Sequence, residues 1–190
     1  MECYGGPLDT SKSPDNEGIL AFIRLDHLMY LLTQKPQYLK HMQFALYQEF
    51  SYKYCYNSPI KYNPLKKLHW CSCGGSITSV CNPHIHPMSS SILDELIFCY
   101  QQTGDQYILD RYHDTLNWGK QSYNRQPREF DFGKTGWMSE RFCYSQGLLT
   151  QYYPDHTPAS TWFNLLPWAA ASVIDGYTGL VWDQEVQKSK

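Results

Sequence analysis

Asp15, Glu17 and Glu140 are the acidic side chains best placed in this 190-residue chain to carry out chemistry. Hydrolysing a glycosidic bond takes two carboxylates across the scissile bond. They stand about 5 Å apart for retention of configuration and about 6.5–9.5 Å apart for inversion. Glu17 and Glu140 are the candidate pair, with Asp15 beside the first of them. Capping and the helix dipole also favour acidic residues at helix starts, with no catalysis involved. His84 and His86 lie in "NPHIHP", held between Pro83 and Pro87 and followed by Ser89 and Ser90. A histidine pair fixed in this way suits contacts to sugar hydroxyls; the plainer role is a buried ring bonded to backbone. Tyr4 and Trp137 add flat apolar faces with a polar edge, which suit stacking on a sugar ring.

The stretch "CSCGGSITSVCNPHIHPMSS" raises a metal as an alternative. Cys71, Cys73, Cys81, His84 and His86 are numerous enough for zinc, which takes four nitrogen or sulfur donors. Their spacing is poor. In an extended chain Cys-x-Cys sends its side chains to opposite sides, and no Cys-x-x-Cys knuckle is present. The preferred reading therefore assigns no metal and no cofactor. Gly74 and Gly75 suit a tight backbone turn.

Six helical patterns would position these residues, at about 17–33, 37–54, 89–103, 105–122, 137–152 and 159–181. The first opens on "SPDNEG" and stops before Pro36. The second carries Leu39, Met42, Leu46 and Phe50 on one side. "TGD" separates the third from the fourth, and Pro167 kinks or interrupts the sixth. Short connections alternate with long ones. The pattern predicts an all-α fold of three antiparallel hairpins, with helices one, three and five as an inner layer. All long loops then gather at one end, where the odd helices start. Asp15, Glu17, His84, His86, Ser89, Trp137 and Glu140 would meet there in a funnel. Three hairpins make about half of an (α/α)6-type toroid, so residues 1–190 read as a single partial domain, the C-terminal half of a larger barrel. An uncovered apolar side would then favour self-association or a missing N-terminal half.

Composition narrows the partners. A formal charge of −2 and the absence of a basic run give nucleic acid or an anionic membrane little to hold. No apolar run reaches the ~18 residues of a membrane span. Seven cysteines, an odd number, without a secretion signal favour reduced thiols and a cytoplasmic location. Sixteen tyrosines and six tryptophans exceed what core packing alone calls for, and so favour a carbohydrate partner.

Four stretches carry a resemblance to a known family: "CYGGPLDTSKSPDNEGILAFIRL", "SCGGSITSVCNPHIHPMSS", "DELIFCYQQTGDQYILDRYHDTLNWG" and "GWMSERFCYSQG". Together they resemble the C-terminal half of bacterial six-hairpin, glycoside-hydrolase-like proteins, over about residues 2–182. The resemblance implies an α/α toroid and a carbohydrate-active class, without a substrate and without a catalytic pair that transfers residue by residue. A carbohydrate-binding pseudo-enzyme, or a truncated fragment without activity, keeps the aromatic cleft but lacks opposed carboxylates. A zinc-thiolate toroid enzyme is the third reading. "ECYGGP" resembles a motif of the lanthionine cyclases, which hold zinc through Cys and His.

Overall fold

The computed structural model describes residues 15–79, 82–144, 148–163, 166–179, 183 and 187–188; Tyr4 and Cys81 lie outside them. Four helices form where the sequence places the first four. They are α1 (Asn16–Thr33), α2 (Pro36–Phe50), α3 (Leu93–Thr103) and α4 (Gln106–Gly119). Their ends follow from local chemistry. The Asp15 side chain accepts from the Gly18 N–H and starts α1, and Gln34 closes it in a left-handed conformation. Pro36 opens α2, where its missing N–H is one of the donors no helix pairs. Gly104, at φ 70°, ends α3, and the Asp105 side chain then caps α4.

The expectation of an all-α fold is overturned. Strands β1 (Ser76–Ser79) and β2 (Asn82–His86) precede a 3-10 helix, Pro87–Ile92, that leads into α3. The expected fifth helix is instead β3 (Arg141–Cys143) and β4 (Leu148–Tyr152). The expected sixth begins as β5 (Pro158–Ala159) and β6 (Thr161–Trp162), and only then becomes α5 (Leu166–Tyr177). Pro167 therefore stands in the first turn of a helix rather than kinking one. The strands form a four-stranded antiparallel sheet, β1-β2-β3-β6, and a separate β4-β5 pair. The physical reason is the pairing of apolar residues across strands from distant parts of the chain. Ile85 and Phe142 are cross-strand partners and fully buried, while their neighbours His84, His86, Arg141 and Cys143 face the other way.

Two cores result. The first draws on all four early helices: Ile23 from α1, Met42 and Leu46 from α2, Leu96 from α3 and Ile108 from α4. Even-numbered helices are thus buried as well as odd ones, and the expected inner and outer layering is absent. Along α1, Phe22, Leu25, Leu28 and Leu32 stay exposed at helical spacing. The second core covers one face of the sheet. In it Trp70 stacks on Phe142 at 4.9 Å, and Trp118 meets Phe142 edge-on at 5.5 Å. Gly74 (φ 93°) and Gly75 let the chain pass close to α4. A Cβ at Gly74 would strike the Asp114 carbonyl, and one at Gly75 would strike Ile85 and Trp118. Among the described residues no helix is long and apolar enough to cross a membrane.

Candidate functional site

The opposite face of the sheet is polar, and strand register shows how its residues line up. Lys53 bridges to Ser76, Ser76 pairs with His86, and Arg141 pairs with Trp162. The register of β2 on β3 (His84 on Cys143, Ile85 on Phe142) continues to His86 beside Arg141. Directly opposed residues share a face, so Lys53, Ser76, His86, Arg141 and Trp162 form one row across the sheet. His84 stands next to His86 on that face, with ring centroids 6.3 Å apart.

The Lys53 end of the row is closed. Lys53 Nζ lies 3.1 Å from Glu49 Oε1 and donates to Ser76 Oγ at 3.0 Å. Ser76 Oγ in turn donates to Glu49 Oε1 at 2.6 Å. Both charged side chains are wholly buried, so the group pins β1 to α2 and has no route to a ligand.

The His86 end is different. His86 is 3% exposed, and neither of its ring nitrogens has a hydrogen-bond partner. The hydroxyls of Ser89 and Ser90, in the 3-10 helix that follows, are buried and also without partners. Burial, and then the charges of neighbouring groups including Arg141, lower His86 to about 3. Burial, and then Arg141, lower His84 to about 4. Both rings are therefore neutral at pH 7, each with one donor and one acceptor nitrogen. Arg141 lies over the Trp162 ring at 4.1 Å, and Trp168 of α5, 37% exposed, meets His86 edge-on at 6.0 Å.

Glu140 immediately precedes this strand. It is 4% exposed, its Oε1 lies 3.4 Å from Arg141 Nε, and its Oε2 has no partner. Burial raises its pKa, against a smaller lowering by Arg141. A carboxyl raised by burial beside a cation is suited to holding a proton and giving it up.

The remaining sequence candidates belong to other elements. Asp15 caps α1. Glu17 is exposed in the first turn of α1; partial desolvation of its carboxyl and then the Asp15 charge raise it. Asn16, between them, is buried and donates to the Ile77 carbonyl at 3.2 Å, which brings the start of α1 against β1. Glu17 and Glu140 do not perturb one another: Asp15 acts on the first and Arg141 on the second. Trp137 stands in the loop before β3, half-exposed, with Lys134 Nζ 5.8 Å from its ring. Cys71 and Cys73 belong to the turn against α4. The Gln121 side chain bonds the backbone of Cys71, and burial followed by Asp114 pushes the Cys73 thiol up to about 11. Among the described residues no three His, Cys, Asp or Glu side chains group closely enough to hold a metal.

Arg141, Trp162 and Trp168 are the residues sequence reasoning passes over. The available signal is the alternation Arg141, Phe142, Cys143 directly after Glu140. Compared with known families, curated proteins and solved structures, the chain matches none.

Proposed function

We propose that the polar sheet face around His86 and Arg141 binds carbohydrate, and that the chain is a carbohydrate-active protein of glycoside-hydrolase type with Glu140, at the start of β3, as proton donor. One observation carries the reading: a buried carboxyl with a free oxygen lies next to a strand row holding an uncharged, unpartnered histidine. Sugar hydroxyls both donate and accept, which matches neutral imidazoles and serine hydroxyls better than charged groups. Trp162 and Trp168 offer ring faces, and the Arg141 guanidinium holds its place by stacking. In this reading Glu140, whose burial raises its hold on a proton, gives that proton to the leaving glycosidic oxygen. Glu17, at the α1 start, is the remaining candidate for the base, with Asp15 holding the helix end beneath it. Cys55, Cys71, Cys73 and Cys99 are in no disulfide, which fits a reducing compartment, and we place the protein in the cytoplasm.

A second reading, binding without hydrolysis, is favoured by the independence of Glu17 and Glu140, since carboxyls flanking one bond perturb each other. A panel of 4-nitrophenyl glycosides and soluble polysaccharides separates the two. Hydrolysis of any member should fall at least about 1,000-fold in kcat for Glu140→Gln with KM little changed. Binding without release in the unsubstituted protein selects the second reading. Neither binding nor release across the panel overturns both.

A further inference from the structure

A separate cavity of about 520 Å³ lies between residues 61–66 and the turn from β4 to β5, lined chiefly by Lys61, Tyr62, Lys66, Tyr153 and Asp155. Its two walls are tied together by one buried residue. Ser160 donates its N–H to the Asn63 carbonyl at 2.8 Å, and its hydroxyl donates to the Tyr62 carbonyl at 3.1 Å while accepting from the Leu65 N–H at 3.1 Å. The turn is closed by Tyr153 N–H to the Thr157 carbonyl at 3.0 Å. Tyr153 is itself anchored, its hydroxyl donating to Asp131 Oδ2 at 2.6 Å. The cavity is therefore shaped before any ligand arrives.

Its charges are unequal. Lys67, outside the lining, is paired with Asp131. Among the described residues Lys61 and Lys66 have no ion-pair partner, and both are exposed at the rim. The single lining carboxylate, Asp155, is held inside its own turn, where Oδ1 accepts from the Thr157 N–H at 3.0 Å and its hydroxyl at 2.7 Å. Two unpaired ammonium groups over tyrosine and proline walls match a ring that carries an anion.

We infer that this cavity binds an acidic sugar, one bearing a carboxylate or a phosphate. The sugar character rests on the proposed function; the preference for an anion rests on the cavity alone. Lys61 donates its N–H to the carbonyl of Tyr144, four residues along the chain from Glu140. None of the residues lining the cavity belongs to the polar row of the sheet, so the two sites are separable by mutation.

Isothermal titration with glucuronate, glucose 6-phosphate, glucose and inorganic phosphate tests the inference. Glucuronate and glucose 6-phosphate should bind at least about tenfold more tightly than glucose, and Lys61→Ala with Lys66→Ala should remove about that factor. Asp155→Asn keeps the turn's acceptor oxygen and removes the opposing charge, so it should tighten binding about twofold at low salt. The double lysine variant should leave the weaker binding of glucose unmoved, so a loss confined to the anionic sugars keeps failure here distinct from failure at the sheet face. Equal affinity for glucose, inorganic phosphate binding as tightly as glucose 6-phosphate, or no loss in the double lysine variant would overturn it. So would the absence of binding at millimolar concentrations.

Discussion

The two ends of one sheet face treat buried polar groups in opposite ways. At one end Glu49 Oε1, Lys53 and Ser76 bond one another within 3.1 Å, leaving Glu49 Oε2 without a partner among the described residues, and the group links α2 to β1. Around His86 and beyond it, the His86 ring nitrogens, the Ser89 and Ser90 hydroxyls and Glu140 Oε2 are equally buried, yet have no hydrogen-bond partner among the described residues. Burying a polar group without a partner costs roughly 1–3 kcal/mol, so the unpartnered His86 ring and the Ser89 and Ser90 hydroxyls that follow it are not explained by stability. The Lys53 end is closed around an ion pair that holds the fold, whereas the His86 end has no such internal partner and is the end proposed above to meet a ligand.

The comparison breaks most visibly at Lys53. Lys53→Met leaves the Glu49 charge buried with only a hydroxyl for company, and should cost about 3–5 kcal/mol in urea unfolding. Replacing the pair together, Glu49→Leu with Lys53→Met, should recover most of that, because an apolar pair of similar volume needs no compensation. A single substitution costing less than about 1 kcal/mol would mean that the pair does not secure the sheet to α2.

A smaller effect, of opposite character, is expected at His86. Its native pKa of about 3 lies below the unfolded value near 6.5, so below that pH the unfolded chain binds the proton first. This contribution to stability is complete above about pH 6.5 and is lost as pH falls toward 3. Between pH 7 and pH 5 the loss is about 2 kcal/mol. Asp26, raised to about 6 chiefly by its burial, works in the other direction over part of that window, so the informative quantity is a difference between proteins. His86→Phe should change stability at pH 7 by no more than about 1 kcal/mol, since it removes two unpartnered nitrogens. It should also remove the His86 part of the pH dependence. Parallel stability curves for the two proteins from pH 7 to 5 would show that His86 is not a buried neutral ring.

The helical part of this architecture is legible in the sequence, because its punctuation is local. Asp15 before α1, Pro36 opening α2 and Thr103-Gly104-Asp105 between α3 and α4 need only their neighbours to act. The sheet is not legible in the same way. Its strands are two to five residues long, and "WMSERFCYSQGLLTQY" fits a helical period as well as a strand period. What decides the matter is the second core, where Phe142 and Ile85 pack against Trp118 and Trp70 from distant positions. The site divides along the same line. Glu140, His84, His86 and Ser89 stand out by residue type, whereas the row joining His86 to Arg141 and Trp162 exists only through register. Glu49 and Lys53, four apart in sequence, read as an ordinary solvent pair on a helix until Ser76 closes over them.

The smallest effect, and the finest test of the contrast, is expected at Ser89 and Ser90. If their hydroxyls hold structure as Ser76 does, removing either one strands a partner and costs about 1–3 kcal/mol. If they await a ligand, nothing inside the fold loses a bond. Ser89→Ala and Ser90→Ala should then each change unfolding free energy by less than about 1 kcal/mol, on the stabilising side if at all. Ser76→Ala supplies the reference, since it strips Glu49 and Lys53 of a shared hydroxyl and should destabilise. The backbone must stay in place for the comparison to be fair, and it is well constrained there. A Cβ added at Gly176 of α5 would strike the Ser90 carbonyl, so the 3-10 helix is held from behind by main chain rather than by the hydroxyls. Equal destabilisation by all three serine variants would place Ser89 and Ser90 in the structural class and take them out of the proposed site.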